Sequence, residues 1–133
     1  MKAKLTLIIA LCVLLSFIAL PVLAEDPIAM WVSRARLAYV GRSSTGPDAV
    51  VGLIHVRDAN LQMVAGATVT ATWTTPDGEE LHQTAVTAFQ GIAEFRIWEG
   101  RGEYTLCVDG VTKGGWLYNP GLDRNTCPTF LVP

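Results

Sequence analysis

Aromatic side chains are the residues of this sequence with the clearest potential for binding. Trp98 has the same alternation parity as the charged residues Glu94 and Arg96, which predicts a solvent-facing position on a strand. Trp116 and Tyr118 share one face near the end of the chain. Flat aromatic rings stack on sugars or anchor protein partners. We predict Trp98, Trp116 and Tyr118 as ligand-binding residues, the alternative being that Trp116 and Tyr118 are core and Trp98 packs on a loop.

Catalytic chemistry has few candidates, because the chain contains only two histidines. His55 and His82 both lie in predicted strands, where a side chain that simply occupies a strand face is the expected role. A Ser-His-Asp arrangement would need one of them beside Ser33, Ser43 or Ser44. No nucleophile-elbow motif surrounds these serines. The sequence therefore predicts a protein that is not an enzyme.

Carboxylates are present but are not spaced for known chemistry. Glu79 and Glu80 are adjacent beside a Pro-Asp-Gly turn, and successive strand residues point to opposite faces, so a solvated turn is the expected role rather than a glycosidase pair. Calcium needs six to eight oxygens in one place, and no loop has the spacing of a calcium site. The side chains in loops that could offer oxygen ligands to calcium are those of Asp58, Asn60, Asp77, Glu79 and Asp123. We predict no metal site and no cofactor.

The charge balance bears on possible partners. The full chain has 10 basic and 12 acidic side chains and a formal net charge of −2. Loss of residues 1–24 would remove Lys2 and Lys4 and no acid, leaving 8 basic and 12 acidic side chains and a charge of −4. This balance disfavours nucleic acid or an anionic membrane surface as partner. A local basic patch and solvated strand and loop faces are alternative roles for Arg34, Arg36, Arg42 and Arg57.

The N-terminus has the pattern of an export signal. Lys2 and Lys4 precede an uncharged apolar run over 5–23, and the small residue Ala24 follows this run. We predict a signal peptide at 1–24, a linker at 25–30 and a secreted or extracytoplasmic protein. The alternative is a retained membrane anchor, since a run of about 19 residues is near the lower limit for crossing a bilayer. Only that alternative would place the protein at a membrane.

Removal of the signal peptide would take Cys12 away and leave Cys107 and Cys127 as a pair. An even pair of cysteines in an exported protein usually forms a disulfide. The closed loop of about 20 residues would contribute roughly 3 kcal/mol to stability on the loop-entropy model. Two free thiols or a metal site are the poorer alternatives, because no histidine lies near either cysteine in sequence.

Alternation of apolar and polar residues predicts an all-β domain. The clearest strand covers 67–74, where Val69, Ala71 and Trp73 share one face and threonines occupy the other. Turn residues separate short strands at regular spacing, as in a β-sandwich. The predicted strands cover 31–40, 50–57, 67–74, 81–87, 93–98, 104–109 and a closing segment made of 116–118 and 129–132, about seven in all.

Three motifs carry a resemblance to a known family: Val56-Arg57-Asp58-Ala59-Asn60 followed by Val64-Ala65-Gly66-Ala67-Thr68-Val69, then Gly91-Ile92-Ala93-Glu94-Phe95, then Gly102-Glu103-Tyr104-Thr105-Leu106-Cys107-Val108. Over about 50–120 the chain resembles bacterial Ig-like domains and carboxypeptidase regulatory-like domains. The resemblance implies an immunoglobulin-like antiparallel β-sandwich over 31–133.

Several single residues agree with this resemblance. Trp73 is placed to fill the space between the sheets, Tyr104 has the position of a tyrosine corner, and Gly66 and Gly91 lie at turns that favour positive φ. Cys107 has the parity of the polar face. We therefore expect the disulfide to hold the last loop on the outer surface of one sheet, unlike the inter-sheet bond of antibody domains.

These observations predict a non-catalytic exported Ig-like domain that acts in cell-surface structure, adhesion or protein–protein interaction. Its partner would be a protein or a cell-surface glycan, and not a nucleic acid. One alternative is a carbohydrate-binding module that uses Trp98, Trp116 or Tyr118. The other is a small secreted enzyme or enzyme inhibitor, with the disulfide-closed segment from Asn119 to Cys127 as the inhibitory loop.

Overall fold

The computed structural model describes residues 26–41, 48–98 and 100–133. The predicted signal peptide at 1–24 lies outside the described residues, as do Arg42, Ser43 and Ser44. The strands are β1 Ile28–Val40, β2 Ala49–Asp58, β3 Thr68–Thr74, β4 Glu80–Val86, β5 Ile92–Ile97, β6 Gly102–Thr112, β7 Trp116–Tyr118 and β8 Thr129–Val132, with a short 3-10 helix at Pro120–Leu122.

Two four-stranded sheets form a sandwich-like arrangement, which confirms the all-β sandwich prediction. Sheet A has the strand order β5-β2-β1-β7, and sheet B has the order β4-β3-β6-β8. In β3 the side chains of Val69, Ala71 and Trp73 are buried, whereas the intervening threonines are not. The alternation therefore places one face of each sheet against the other and leaves the second face in solvent.

The core lies between the inner faces of the two sheets. Trp73 is fully buried, as the sequence predicted, and it packs with Tyr104, Phe95 and Ile54. Gly52 in β2 makes this packing possible, because a Cβ added there would lie 2.3 Å from the Cδ2 atom of Leu106. A side chain at position 52 would therefore have to displace the end of the Leu106 side chain at the contact between the two sheets.

The turns around Tyr104 and Gly91 have the predicted conformations. The Tyr104 hydroxyl donates a hydrogen bond of 2.5 Å to the carbonyl oxygen of Gly100, four residues upstream. Gly66 and Gly91 have φ values of 74° and 69°. A Cβ at Gly91 would also lie 2.9 Å from the carbonyl oxygen of Val56, so both conformation and space favour glycine there.

The closing segment differs from the prediction. Its two parts are separate strands in different sheets: β7 pairs with β1 in parallel, and β8 pairs with β6 in antiparallel fashion. The described chain therefore has eight strands rather than seven, and the sandwich is not wholly antiparallel. The separation follows from Asn119-Pro120-Gly121, where the Asn119 side chain accepts from the Gly121 amide and Pro120 has no N–H to continue a ladder.

The first strand also starts earlier than predicted. Ile28, Ala29 and Met30, which the sequence placed in a linker at 25–30, belong to β1 and pair with β7. Met30 is fully buried in the core. The sequence could not predict this start, because the segment pairs with β7, a three-residue strand from the far end of the chain.

A disulfide joins Cys107 and Cys127, with a Cα–Cα distance of 4.1 Å. Cys107 lies opposite Thr72 in sheet B, next to the buried Leu106, and therefore points away from the core. This confirms the predicted bond and its position on the outer surface of one sheet. The chain between the two cysteines leaves sheet B and forms β7 in sheet A, and β8 of sheet B begins just after Cys127.

Candidate binding site

The predicted aromatic residues do not form one platform. Trp98 follows β5 at one edge of sheet A, and its side chain is 57% exposed. Trp116 and Tyr118 lie in β7 at the opposite edge of the same sheet. The register places them at opposite ends as well, because Ile97 pairs with Val50 whereas Trp116 pairs with Ile28.

Trp116 and Tyr118 are half-buried and pack against the core. The Lys113 Nζ atom lies 4.6 Å from the centroid of the Trp116 ring, a cation–π distance. The Tyr118 hydroxyl donates a short hydrogen bond to Asp123. Burial, together with the hydrogen bond and the charge of Asp123, raises the pKa of Tyr118 well above its ordinary value. Both rings hold β7 and the following loop in place, and both also line a cleft of about 640 Å³ together with Lys113 and Leu117. Their predicted role in ligand binding stays a prediction.

The outer face of sheet A carries a different candidate, a cleft of about 530 Å³. We call it the β1 cleft, because β1 forms its floor. It has one aromatic residue, three arginines, a histidine and two leucines around it. Its lining residues are Trp31, Ser33, Arg34, His55, Arg57, Leu61, Leu122 and Arg124.

A β-bulge in β1 places two of these side chains in the cleft. Val32 pairs with Val56 and Arg34 pairs with His55, so Ser33 is an extra residue in the ladder. Val32 and Ala35 are both buried, and the two residues between them face outward. Without the bulge, strict alternation would turn Arg34 toward the core.

One wall of the cleft is the turn between β2 and β3. The Asp58 carboxylate accepts hydrogen bonds of 2.9 Å from the backbone amides of Asn60 and Gln62, which fixes the turn. Within it Leu61 has a φ of 62°, a left-handed conformation that costs a leucine about 1–2 kcal/mol. The result is a leucine side chain that is 61% exposed and lines the cleft.

The opposite wall is the loop after β7, which runs along the edge of β1. The Val32 amide donates to the Asp123 carboxylate at 2.8 Å, and the Arg124 amide donates to the Val32 carbonyl at 3.0 Å. These bonds bring Leu122 and Arg124 to the cleft. The same loop lies inside the segment closed by the disulfide, so the covalent bond in sheet B helps to fix a wall of a site in sheet A.

The positive charges of the cleft have no acidic partners among the described residues. The ion pair between Arg96 and Glu94 is the one recorded in that part of the chain, and it lies outside the cleft. Arg57 makes a hydrogen bond of 3.4 Å to the carbonyl oxygen of Leu61, which carries no charge. No carboxylate lines the cleft, so the guanidinium groups of Arg34, Arg57 and Arg124 create a local positive potential.

His55 lies among these arginines and has an unmet hydrogen-bonding group. Its Nε2 atom is buried and has no hydrogen-bond partner among the described residues. Burial lowers the pKa of His55, and the charges of Arg36, Arg34 and Arg57 lower it further. A group of negative charge in the cleft would reverse the second effect.

Apolar side chains extend this site beyond the cleft. A smaller depression of about 250 Å³ shares His55 and Arg57 with the cleft and is also lined by Met63 and Ile92. Met63 is 58% exposed, and Phe89, in the turn before β5, is 82% exposed. We call the β1 cleft together with Met63, Phe89 and Ile92 the sheet A surface.

A second polar cluster lies on the outer face of sheet B, but its order does not suit catalysis. The Thr72 hydroxyl lies 2.8 Å from His82 Nδ1 and 2.6 Å from Asp109 Oδ2. In a catalytic triad the histidine stands between hydroxyl and carboxylate. Here the hydroxyl is in the middle, and it donates to the carboxylate, so no carboxylate orients the imidazole as in a triad.

Metal ligation and membrane crossing find no support in the part of the chain that the structure describes. No three His, Cys, Asp or Glu side chains converge there on a point that could hold a metal ion. The same residues contain no helix with the length and apolar character needed to cross a bilayer.

The sequence offered a basic patch of Arg34, Arg36, Arg42 and Arg57 only as the alternative to solvated strand and loop faces. The structure brings Arg34, Arg36 and Arg57 together on the outer face of sheet A, and Arg42 lies outside the described residues. The sequence analysis did not predict Trp31 and Arg124 as members of the cleft. One signal was readable, since the apolar alternation of β1 changes phase between Val32 and Ala35. Arg124 gave no signal, because its position depends on the crossing of the last loop.

Comparisons with known proteins add no relative to this description: the sequence matches no family model, and neither the curated proteins nor the solved structures include a significant match.

Proposed function

We propose that this protein is an exported, non-catalytic binding domain of Ig-like fold, which contacts a partner protein through the sheet A surface. The observation that carries the proposal is the composition of that surface. Arginine, tryptophan and methionine, which are enriched at protein interfaces, line its two depressions, and the exposed Phe89 lies in the turn before β5. Large side chains that remain in solvent at one end of a small domain are typical of an interaction site.

The strand order supports the Ig-like part of the proposal. With β1, β2 and β5 taken as strands A, B and E, and with β3, β6 and β8 taken as C, F and G, the sheets correspond to the two layers of such domains. Strand β4 then has the position of the extra strand beside C. The buried Trp73 on the C-equivalent strand and the Tyr104 hydrogen bond near the start of the F-equivalent strand agree with this assignment.

A non-catalytic role is supported by the hydrogen bonds around His55. The Ser33 hydroxyl donates to the backbone carbonyl of His55 at 3.3 Å rather than to the imidazole. The charged groups that lower the pKa of His55 are arginines, whereas a catalytic histidine is usually oriented by a carboxylate. The cleft is thus arranged to bind a group rather than to activate a nucleophile.

Export is supported by two features of the chain. The first is the basic and apolar pattern of residues 1–24. The second is the disulfide between Cys107 and Cys127, because such bonds persist mainly in oxidising compartments.

The test measures binding of the fluorescently labelled exported protein to intact source cells. The first variant carries Met63→Ser and Phe89→Ser, and the control carries Val86→Ser, which changes a side chain of 58% exposure on sheet B. We expect saturable binding that surface proteolysis of the cells abolishes. The double variant should bind at least tenfold more weakly, and the control should bind like the parent. Binding that survives proteolysis, no saturable binding, or equal loss in the control would contradict the proposal.

A further inference from the structure

We propose that the β1 cleft is a carboxylate-binding subsite, which takes an acidic side chain from an extended, partly apolar segment of the partner protein. This inference rests on the proposed function for the identity of the partner. The chemistry itself rests on the cleft, where Arg34, Arg57 and Arg124 surround a space without any acidic residue.

The three arginines come from three different parts of the fold. Arg34 is placed by the bulge in β1, Arg57 lies near the end of β2, and Arg124 lies in the loop after β7. Their mutual repulsion is unfavourable in the empty site, and no carboxylate of the lining offsets it. A bound carboxylate would offset it and would accept charge-assisted hydrogen bonds, which are about twice as strong as neutral ones.

His55 supplies a further donor for the same ligand. Its buried Nε2 atom has no partner among the described residues, and its protonated ring would carry a hydrogen on that atom. The charged groups near the ring on this face are Arg34 and Arg36 from β1, Arg57 from its own strand, and Glu94 from β5, which is paired with Arg96. The charges that act on the ring are those of the arginines, so a carboxylate bound in the cleft should be accompanied by proton uptake.

The surroundings favour a protein segment over a phosphate or an acidic sugar. Leu61 and Leu122 form walls of the cleft, and Met63 and Phe89 continue the apolar surface beyond it. Such neighbours suit the aliphatic or aromatic residues that flank an acidic one in a protein. A phosphate or a sugar acid would leave these side chains in solvent.

The charge of the rest of the domain also disfavours a polyanion. The described residues, which do not include Lys2, Lys4, Arg42, Glu25 and Glu99, carry 7 basic and 10 acidic side chains. A nucleic acid or an anionic lipid surface would meet this net negative charge over a wide area. A single carboxylate on a segment of acidic and apolar residues would contact only the positively charged cleft and would avoid this repulsion.

The experiment is calorimetric titration of the exported protein with a blocked octapeptide in which Glu and Leu alternate. The matched peptide has Gln in place of each Glu, and the other two probes are inorganic phosphate and an oligosaccharide of glucuronate. We expect the Glu peptide to bind at least tenfold more tightly than any other probe, and its affinity to fall as the salt concentration rises. Equal binding of the Gln peptide, or tighter binding of phosphate or glucuronate, would overturn the inference.

Variants locate the site. Arg34→Gln and Arg124→Gln should each weaken binding of the Glu peptide about tenfold. Arg101→Gln removes an exposed arginine outside the cleft and should leave binding unchanged. An unfolding curve for each variant checks that the fold persists, and neither substitution in the cleft breaks a side-chain hydrogen bond recorded for the described residues. Equal effects of Arg101→Gln and the cleft variants would also overturn the inference.

The outcomes separate this inference from the proposed function. If the Glu peptide does not bind while attachment to cells still depends on Met63 and Phe89, the carboxylate subsite is wrong and the binding function stands. If the peptide binds at the cleft while cells show no saturable attachment, the subsite stands and the proposed function fails.

Discussion

At the scale of single residues, His55 is the cleft residue with an unmet hydrogen-bonding group; Asp48 and Thr75 also have such groups, but they lie outside the cleft lining. The imidazole lies in a strand, one nitrogen is buried without a partner among the described residues, and the nearby charges are arginines. Leu61 adds a left-handed backbone where glycine or asparagine would fit better. Unfavourable features that cluster at one place indicate a site kept for binding rather than for stability.

The pH dependence of stability should report the environment of His55. Its pKa in the folded state lies below the ordinary 6.5, so the unfolded chain takes up a proton first as the pH falls. The free energy of unfolding should therefore decrease as the pH falls below about 6.5. The substitution His55→Gln should make this decrease smaller, as measured by urea unfolding at several pH values. The control is His82→Gln; identical pH profiles for the parent and the His55 variant would contradict the explanation.

The backbone at Leu61 allows stability and binding to be separated. Leu61→Asn should relieve left-handed strain and raise the free energy of unfolding by about 1 kcal/mol, since asparagine tolerates this conformation. The same change should weaken binding of the Glu peptide severalfold, because the exposed leucine forms a wall of the cleft. Denaturant unfolding and calorimetry measure the two effects. A variant that is less stable, or that binds as well as the parent, would refute this role of Leu61.

At the scale of elements, the site depends on two irregularities in otherwise regular strands. The bulge at Ser33 changes which residues of β1 face outward, and the crossing of the last loop brings Arg124 beside β1. Bulges are known to redirect side chains next to functional sites. The regular strands supply a rigid floor, and the two irregular segments supply the polar groups.

The disulfide between Cys107 and Cys127 should affect both the stability of the fold and the geometry of the β1 cleft. Replacement of Cys107 and Cys127 together by serine should lower the free energy of unfolding by about 3 kcal/mol on the loop-entropy model. It should also weaken binding of the Glu peptide, because the closed loop carries Leu122 and Arg124. Thermal unfolding and calorimetry, made below the melting temperature of the variant, check the two effects. Unchanged affinity in a less stable variant would show that the bond stabilises the sandwich without positioning the cleft.

The packing of β2 against sheet B gives a second prediction for the elements. Gly52→Ala would place a Cβ in contact with the Leu106 side chain, and overpacking of this kind typically costs about 1–3 kcal/mol. The matched change Gly114→Ala adds a Cβ where nothing lies within 4 Å and should have little effect. Urea unfolding compares the free energies of unfolding of the two variants. Equal values would contradict the prediction and would mean that the packing around Leu106 adapts to the added Cβ without a loss of stability.

At the scale of the whole molecule, the sandwich was predictable and the site was only partly so. Alternation is a local signal, so the inner position of Trp73, the parity of Cys107 and the turn at Gly91 could be derived from neighbouring residues. The cleft depends on contacts between distant segments, such as Val32 with Asp123. The same dependence explains why the closing segment was predicted as one strand and why the start of β1 was placed too late.

The natural methionines allow a direct measurement of whether a partner protein lies on the sheet A surface. Met63 is 58% exposed on that surface, whereas Met30 is fully buried and provides an internal control. The protein is labelled with photoreactive methionine, irradiated on intact source cells and digested for mass spectrometry. We predict cross-links from Met63 to an acidic segment of another protein, and far fewer in a variant that carries Met63→Leu and Val86→Met. No cross-linked protein at Met63, or equal cross-linking from position 86, would contradict the account.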